Sequence, residues 1–267
     1  LLFDSPSTFL GLSAVRGSLV SSAMIEIDRQ THLIEADRQR MREAQAQAAG
    51  ELAAARRIQL GSLPDAARLF AAEQRFALAT YLEPARDVGG DLYDFFMIDA
   101  RRLCFMVGDV AGKGVPASLF MAIAKTLAKS IASRVDQGLG VITTLANQEL
   151  SRENAEQLFV TLLIGILDLE SGELSLVNAG HDGPWRVSAD GRVEQITCPT
   201  DAGGPPLCVI DDFAYVAQKL MLSPGDTLCL ITDGVTEAMN VQHELYGAKR
   251  LESVLQTTDG KALPPEV

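Results

Sequence analysis

Val107-Gly108-Asp109-Val110-Ala111-Gly112-Lys113-Gly114 reads as a β-strand that ends in an aspartate among glycines. An aspartate beside glycine at the end of a predicted strand also occurs at Val88-Gly89-Gly90-Asp91-Leu92-Tyr93-Asp94 and at Leu230-Ile231-Thr232-Asp233-Gly234. Glycine lets a metal ion or a phosphate approach the backbone closely. Carboxylate, carbonyl and water oxygens select Mg²⁺ or Mn²⁺ over zinc or copper. The three aspartates therefore predict a carboxylate metal site and a metal-dependent enzyme.

Each of these motifs also has a simpler interpretation, because Asp-Gly is first of all a turn former. One such pair alone would more often be only a turn, whereas the three together favour a functional site. A phosphate-binding P-loop does not fit, because its glycines are separated by four residues and its lysine is followed by Ser or Thr, whereas here three residues intervene and Gly114 follows Lys113. Gly89-Gly90-Asp91 is shared with diguanylate cyclases, but their Glu-Phe is replaced by Leu92-Tyr93.

Composition narrows the class of protein further. The 267 residues are 47% hydrophobic, which suits one large domain plus an appendage. The net charge of -12 argues against nucleic acid as a partner and favours cations and basic proteins. Three histidines and the lack of a C-x-x-C pair leave few ligands for zinc. We expect the cysteines to be reduced and the protein to be cytoplasmic.

The N-terminal part predicts a long helix. Residues 28–60 contain no proline and are rich in Ala, Gln, Glu and Arg. Small and apolar residues recur at spacings of three and four, as on a helix that pairs with another: Met41, Ala44, Ala48, Leu52 and Ala55. Two interpretations stay open, a solvated helix packed on its own domain and a parallel dimer stalk that passes on a signal. The predicted organisation is an upstream remnant (1–27), a signalling and dimerisation helix (28–64) and a catalytic domain (65–267).

The residues after position 75 predict short strands, with two consecutive helices, Val115–Arg134 and 141–153, between the third and the fourth. Hairpin signals between strands argue for antiparallel sheets covered by helices rather than a parallel doubly wound sheet. The predicted strands are Phe76–Leu82, Asp91–Ile98, Leu103–Gly108, Val160–Asp168, Leu174–Asn178, Trp185–Ser188, Tyr215–Lys219 and Thr227–Ile231.

A family resemblance rests on the order and spacing of several short motifs that cover about three quarters of the chain, from residue 53 to 255. The motifs are Ala55–Gln59 with Leu63-Pro64, Val88–Asp94, Gly108–Ala117, Asn178–His181, Gly204–Leu207, Pro224–Asp226 and Thr232–Ala238. In these residues the chain resembles the SpoIIE-type (RsbU-like) branch of the PPM, or protein phosphatase 2C-like, Ser/Thr phosphatases.

The resemblance implies an α+β fold, a four-layer αββα sandwich in which two antiparallel sheets are flanked by helices, preceded by the long linker helix. It implies two Mn²⁺ or Mg²⁺ ions: Asp109 bridges both, Asp91 and the Val110 carbonyl complete one, and Asp233 belongs to the other. Asp91, Asp109 and Asp233 are the implied catalytic residues. Two such ions can activate a water for in-line attack on phosphorus.

The implied function is that of a metal-dependent serine/threonine protein phosphatase in a bacterial partner-switching pathway. Its implied substrate is a phosphorylated regulatory protein, an anti-sigma-factor antagonist. We expect a homodimer through the N-terminal helix and no nucleic-acid partner. No uninterrupted apolar run reaches the roughly 18 residues of a spanning helix, although the full-length protein could be tethered to a membrane sensor upstream.

Several residues depart from the family pattern or carry weaker expectations. The family normally supplies a final aspartate from an Asp-Asp motif on a C-terminal strand, and no such motif follows Asp233 before Val267. Family members often have glycine where this chain has Cys208. Arg86 could touch the substrate phosphate or be an ordinary surface arginine. His181 could donate a proton or be a turn histidine bonded to backbone, and Asp94 could orient a water.

Two rival functions remain at this stage. The first is a catalytically weak module that binds a phosphoprotein without hydrolysing it. The second is a GTP-using cyclase, which ranks far lower because only three residues support it.

Overall fold

A computed structural model describes residues 6–85, 87–152 and 154–257, with side chains described from residue 21 onward. The chain forms two compact units, Leu1–Ala54 and Ala55–Val267. The predicted boundary between helix and catalytic domain was residue 64. Residues 55–64 of the predicted helical segment belong to the second compact unit, in which Gln59 is buried.

The N-terminal helix, α1, spans Pro6–Gly61 and is 56 residues long. It therefore begins upstream of the predicted start at Asp28. Proline at the first helical position is well tolerated, because the N–H that it lacks has no partner within the helix there. Every side chain from residue 21 to residue 50 is exposed in the single chain. A long helical segment with no buried face, such as residues 21–50, needs many side-chain pairs along its surface or a partner helix.

The larger sheet has five antiparallel strands in the spatial order β1-β2-β3-β4-β7. They are β1 (Leu92–Met97), β2 (Arg102–Val110), β3 (Val160–Asp168), β4 (Glu173–Ala179) and β7 (Gln218–Met221). The smaller sheet has the order β6-β5-β8, formed by β5 (Trp185–Val187), β6 (Val193–Gln195) and β8 (Thr227–Cys229).

The predicted strands differ from the structure in three places. Phe76–Leu82 is not a strand in the described chain, β6 was not predicted, and the predicted Tyr215–Lys219 shares only two residues with β7. The alternating apolar residues of Phe76–Leu82 reflect side-chain contacts instead of strand pairing: Phe76 meets Phe70 edge to face at 5.0 Å, and Thr80 bonds Tyr93 on β1. Side-chain alternation signals one buried face, but it does not guarantee a strand partner for the backbone.

Five further helices are described. They are α2 (Ala66–Leu69), α3 (Val115–Ala132), α4 (Leu139–Arg152), α5 (Asp233–Thr236) and α6 (Ala248–Thr257). α3 is long and apolar enough to cross a membrane by length and composition alone. Ala117, Phe120, Met121, Ala124 and Ala128 on α3 are buried, as expected for a core helix of a folded domain.

Three apolar clusters separate four layers. The first joins α3 and α4 to the outer face of the larger sheet, through residues such as Met121 and Ile164. The second lies between the two sheets, around Leu163 and Leu176. The third joins α6 to the smaller sheet. The predicted αββα sandwich preceded by a long helix is confirmed.

Candidate active site

Strand pairing places Asp109 between the two sheets. In the ladder between β2 and β3, Asp109 lies opposite Thr161, and Val107 lies opposite Leu163. Side chains alternate faces along a strand, so Asp109 and Thr161 share the inner face on which Leu163 contributes to the inter-sheet core. Asp109 thus stands at the end of β2, at the rim of that core, where polar side chains can reach solvent.

The loop before β1 lies directly against this strand end. The Val110 N–H donates to the Gly90 carbonyl at 3.3 Å. A Cβ at Gly90 would lie 2.7 Å from Asp109 Oδ1 and 2.6 Å from the Val110 carbonyl oxygen. Only glycine permits this approach, because real Cβ atoms do not come so close to other heavy atoms. Two oxygen donors, the Asp109 carboxylate and the Val110 carbonyl, therefore lie together beside Asp91.

Asp91 and Asp233 complete an acidic cluster with Asp109. Asp91 Oδ1 is buried and has no hydrogen-bond partner. Burial raises the pKa of Asp91, and the nearby Asp233 carboxylate raises it further, against a hydrogen bond from Thr232. Asp233 is the first residue of α5, and Thr232 caps that helix.

Burial within the acidic cluster strongly raises the pKa of Asp109. Burial, followed by the charges of Asp91 and Asp233, raises the pKa of Asp109 to about 7, although the Val110 N–H and Lys113 act in the opposite direction. Like charges that share a site disfavour the ionised state, so the cluster costs free energy when no cation is present. A divalent cation would remove this cost and would supply a partner for the orphaned Asp91 oxygen.

The donor set suits Mg²⁺ or Mn²⁺. Within the described residues, no three His, Cys, Asp or Glu side chains group tightly enough to hold an ion by themselves. Mg²⁺ keeps several waters and is commonly held through one or two carboxylates, so a closed protein cage is not required. Asp91, Asp109, the Val110 carbonyl and Asp233 are the residues that could hold ions here.

Two motifs from distant parts of the chain pack together beside the cluster. Gly180 has a φ of +68°, and a Cβ there would lie 2.5 Å from the ring of Pro206. The Gly204 N–H donates to the Asn178 carbonyl at 2.9 Å. Cys208 follows with a φ of +67°, a left-handed conformation that glycine adopts most easily. A glycine at this position would therefore adopt the observed backbone conformation with less strain.

The weaker sequence expectations have different outcomes. Arg86 lies outside the described residues. His181 uses both ring nitrogens, with Nδ1 3.0 Å from Thr161 Oγ1 and Nε2 2.9 Å from the Ile231 carbonyl. These contacts agree with a turn histidine bonded to backbone rather than with a free proton donor.

The proposed role of Asp94 in orienting a water is wrong. Asp94 pairs with Met106, which belongs to the core beneath α3, so it points away from the inner face. Its carboxylate is 1% exposed and accepts hydrogen bonds from Lys129 Nζ at 3.0 and 3.2 Å. Lys125 Nζ lies 3.7 Å from the same carboxylate and donates to the Ser62 carbonyl at 2.6 Å. Asp94 is therefore a structural ion-pair residue between β1 and α3.

Sequence reasoning missed Gln59 on the last turn of α1. Its side-chain amide donates to the Gly89 carbonyl at 2.7 Å and accepts from the Gly89 N–H at 3.3 Å. Gly89 precedes Gly90 and Asp91, so Gln59 holds the loop that carries a candidate metal ligand. The Ala55–Gln59 motif was noticed, but its partner 30 residues away could not be read from spacing.

A comparison with known protein families shows to which family the chain belongs. The model of the family described as Stage II sporulation protein E (SpoIIE) matches residues 99–267, more than half of the chain. The chain belongs to the SpoIIE family. This membership confirms the predicted resemblance.

Relatives and solved structures agree with this assignment. IcfG of Synechocystis sp. is 28% identical over 220 residues, covering 73% of this chain and 33% of that protein. The phosphoserine phosphatase RsbU of Bacillus subtilis is 26% identical over 165 residues, covering 62% of this chain and 48% of RsbU. The chain thus spans a third to a half of the length of these relatives.

Among solved structures, the SiaA-PP2C domain of Pseudomonas aeruginosa shares the fold, with a TM-score of 0.67 and 24% identity over 83% of this chain and 86% of that domain. The RsbU and RsbW domains of Rv1364c from Mycobacterium tuberculosis match with a TM-score of 0.55 and 26% identity, over 64% of this chain and 46% of theirs. Family and fold therefore agree, since the chain belongs to the SpoIIE family and shares the fold of the SiaA-PP2C domain.

Proposed function

We propose that this SpoIIE-family domain removes phosphate from phosphoserine or phosphothreonine on a regulatory protein, an anti-sigma-factor antagonist, with two Mn²⁺ or Mg²⁺ ions. The single observation that supports it most is the cluster of Asp91, Asp109 and Asp233 with the orphaned Asp91 oxygen. Such a cluster is unfavourable without cations, and bound divalent cations would offset the negative charge of a phosphate ester during hydrolysis.

The roles of the residues follow from their positions. As the family resemblance implies, Asp109 would help to hold both ions, Asp91 and the Val110 carbonyl would help to hold one, and Asp233 would help to hold the other. When bound, the ions would supply a water activated for in-line attack on phosphorus and would stabilise charge on the phosphate oxygens. Gly90 keeps the ligand loop close to the end of β2, and Gln59 fixes that loop through the backbone of Gly89.

The substrate proposal draws on relatives. RsbU and RsbP of Bacillus subtilis are named phosphoserine phosphatases. A regulatory phosphoprotein in a partner-switching pathway is consistent with the acidic chain, which suits cations and basic protein surfaces better than nucleic acid. The four cysteines are free, consistent with a reducing compartment, and we place the protein in the cytoplasm, which cell fractionation would test.

We also propose that α1 forms a parallel homodimer. Ile27, Ile34 and Met41 recur every seven residues and are 64%, 53% and 63% exposed in the single chain. Ala48 and Ala55 continue the same seven-residue spacing, as expected for one row of a coiled-coil seam. Ile34→Asp should shift the mass measured by light scattering from dimer to monomer, and an unchanged mass would argue against this seam.

The test of the enzymatic proposal is Mn²⁺-dependent hydrolysis of p-nitrophenyl phosphate and of a phosphorylated antagonist protein. Asp109→Asn should abolish phosphate release, whereas the control Asp136→Asn, at a carboxylate that is 92% exposed, should retain it. Binding of the phosphoprotein by the parent chain without phosphate release would instead favour the binding module.

A further inference from the structure

His181 joins the two sheets at the acidic cluster. β4 of the larger sheet ends at Ala179, and Ile231 follows β8 of the smaller sheet. The His181 ring lies between them, with Nδ1 3.0 Å from Thr161 Oγ1 and Nε2 2.9 Å from the Ile231 carbonyl. Thr161 is the direct neighbour of Asp109 across the ladder, and Ile231 is two residues before Asp233.

The hydrogen bonds have one consistent direction. A carbonyl can only accept, so Nε2 carries the proton and donates to Ile231. Burial lowers the pKa of His181, so the ring is neutral and Nδ1 is an acceptor. Thr161 Oγ1 lies 3.0 Å from Nδ1 and 3.3 Å from the Asp109 carbonyl oxygen. Because a neutral Nδ1 needs a donor and lies nearer, the hydroxyl donates its single hydrogen to Nδ1, and its oxygen accepts from the Asp109 N–H at 3.3 Å. A continuous chain of hydrogen bonds thus runs from the backbone of Asp109 to the backbone just before Asp233.

The ring is also held rigidly from its own backbone. The Asn178 side chain accepts from the His181 N–H at 2.8 Å and donates to the His181 carbonyl at 2.7 Å. Gly180, between them in sequence, packs against Pro206 in a conformation that other residues rarely adopt. A histidine fixed in this way can hold the two groups that its ring bonds at a set distance from each other, because neither its backbone nor its ring is free to move.

We propose that His181 and Thr161 are positioning residues that set the spacing between the Asp109 and Asp233 metal positions by tying the two sheets together at the cluster. The proposal rests on the metal-dependent function proposed above and assigns no proton transfer to His181. Groups that orient metal ligands through hydrogen bonds typically affect metal affinity or activity by about 10- to 100-fold. The expected effect is therefore on Mn²⁺ affinity first.

The closing experiment compares Thr161→Val, which keeps the shape and removes the hydroxyl, with Thr161→Ser, which keeps the hydroxyl. Mn²⁺ binding is measured by calorimetry and by the rise in Tm on adding Mn²⁺, and activity is measured as a function of Mn²⁺ and of substrate. We expect Thr161→Val to weaken Mn²⁺ binding about 10-fold, with little change in KM for substrate at saturating Mn²⁺, and Thr161→Ser to restore most of the affinity.

Thr143→Val is the matched control. Thr143 is a buried threonine, whereas Thr161 is half-buried, and the Thr143 hydroxyl donates to the Leu139 carbonyl within α4, away from the cluster. It should alter Tm without altering Mn²⁺ affinity. His181→Gln combined with Thr161→Val should weaken Mn²⁺ binding less than the sum of the single changes, since both break the same chain of bonds.

Two results would overturn the proposal. Equal Mn²⁺ affinity in the parent, Thr161→Val and His181→Gln proteins would mean that the hydrogen-bond chain only stabilises the fold. Equal losses in Thr161→Val and Thr161→Ser would mean that the hydroxyl is not the operative group. Failure of the parent chain to bind Mn²⁺ at all would instead contradict the proposed metal-dependent function, so the two failures are distinguishable.

Discussion

Replacing Asp109 by asparagine should make the metal-free protein more stable while removing its response to Mn²⁺. In the folded chain, burial and the charges of Asp91 and Asp233 raise the pKa of Asp109 to about 7. An aspartate in an unfolded chain titrates near about 3.9. The folded state therefore binds the proton more tightly than the unfolded state does, and the stability present at low pH is lost as the pH rises toward 7.

The size of the effect follows from this difference in pKa. A pKa difference of about three between the folded and the unfolded chain corresponds to a free-energy difference of roughly 4 kcal/mol for a fully buried carboxylate. Asp109 is partly exposed, so solvent screening reduces the expected value to about 1–2 kcal/mol. For a domain of this size, that is a rise in Tm of about 2–8 °C at pH 8. At pH 5 the gain should shrink to about a third, because a smaller part of the titration range has then been crossed.

Thermal unfolding followed by circular dichroism in EDTA, at pH 5 and pH 8, provides the measurement. Mn²⁺ should raise the Tm of the parent protein at pH 8 and leave that of Asp109→Asn nearly unchanged. Asp136→Asn, at an exposed carboxylate, serves as the control. It should neither gain stability in EDTA nor lose the rise in Tm on adding Mn²⁺. Two results would contradict this prediction: a Tm of Asp109→Asn no higher than that of the parent at pH 8, or a gain in Tm that is the same at both pH values.

Three further changes test other parts of the structure. Cys208→Val should lower the free energy of unfolding in urea by about 1–3 kcal/mol, because a β-branched residue fits the observed φ of +67° poorly. Cys208→Gly should leave the free energy of unfolding unchanged, and equal values for the two variants would contradict this prediction. Asp94→Asn should cost about 3–5 kcal/mol in the same assay, because it leaves two lysines of α3 without their buried counter-charge; a loss below about 1 kcal/mol would show that the pair is solvated. Gln59→Leu should lower activity at limiting Mn²⁺ by about 10-fold, because it removes both hydrogen bonds to Gly89. Gln47→Leu, on an exposed part of α1, should leave this activity unchanged. Similar activity in both variants would mean that the contact with the ligand loop is unimportant.

The local pattern of the sequence predicted most of the regular elements. Val160–Asp168 was predicted with the bounds that β3 has, and α3 and α4 differ from their predicted ends by at most two residues at each end. These elements have strong periodicity and clear end signals, such as Pro116 in the first turn of α3. Phe76–Leu82 failed because its alternation comes from contacts with neighbouring aromatic rings, and a strand also needs a partner for its backbone.

The sequence by itself determined the chemistry of the site: three strand-end aspartates with glycine neighbours indicated hard oxygen ligands before any geometry was known. Only the tertiary structure decided which residues support them. Thr161 lies 52 positions from Asp109 and meets it through the register of β2 and β3. His181 meets Ile231, 50 positions away, only because the two sheets pack face to face. Local sterics and periodicity are encoded in neighbouring residues, whereas partners this far apart depend on strand register and layer packing, which no short stretch of sequence contains.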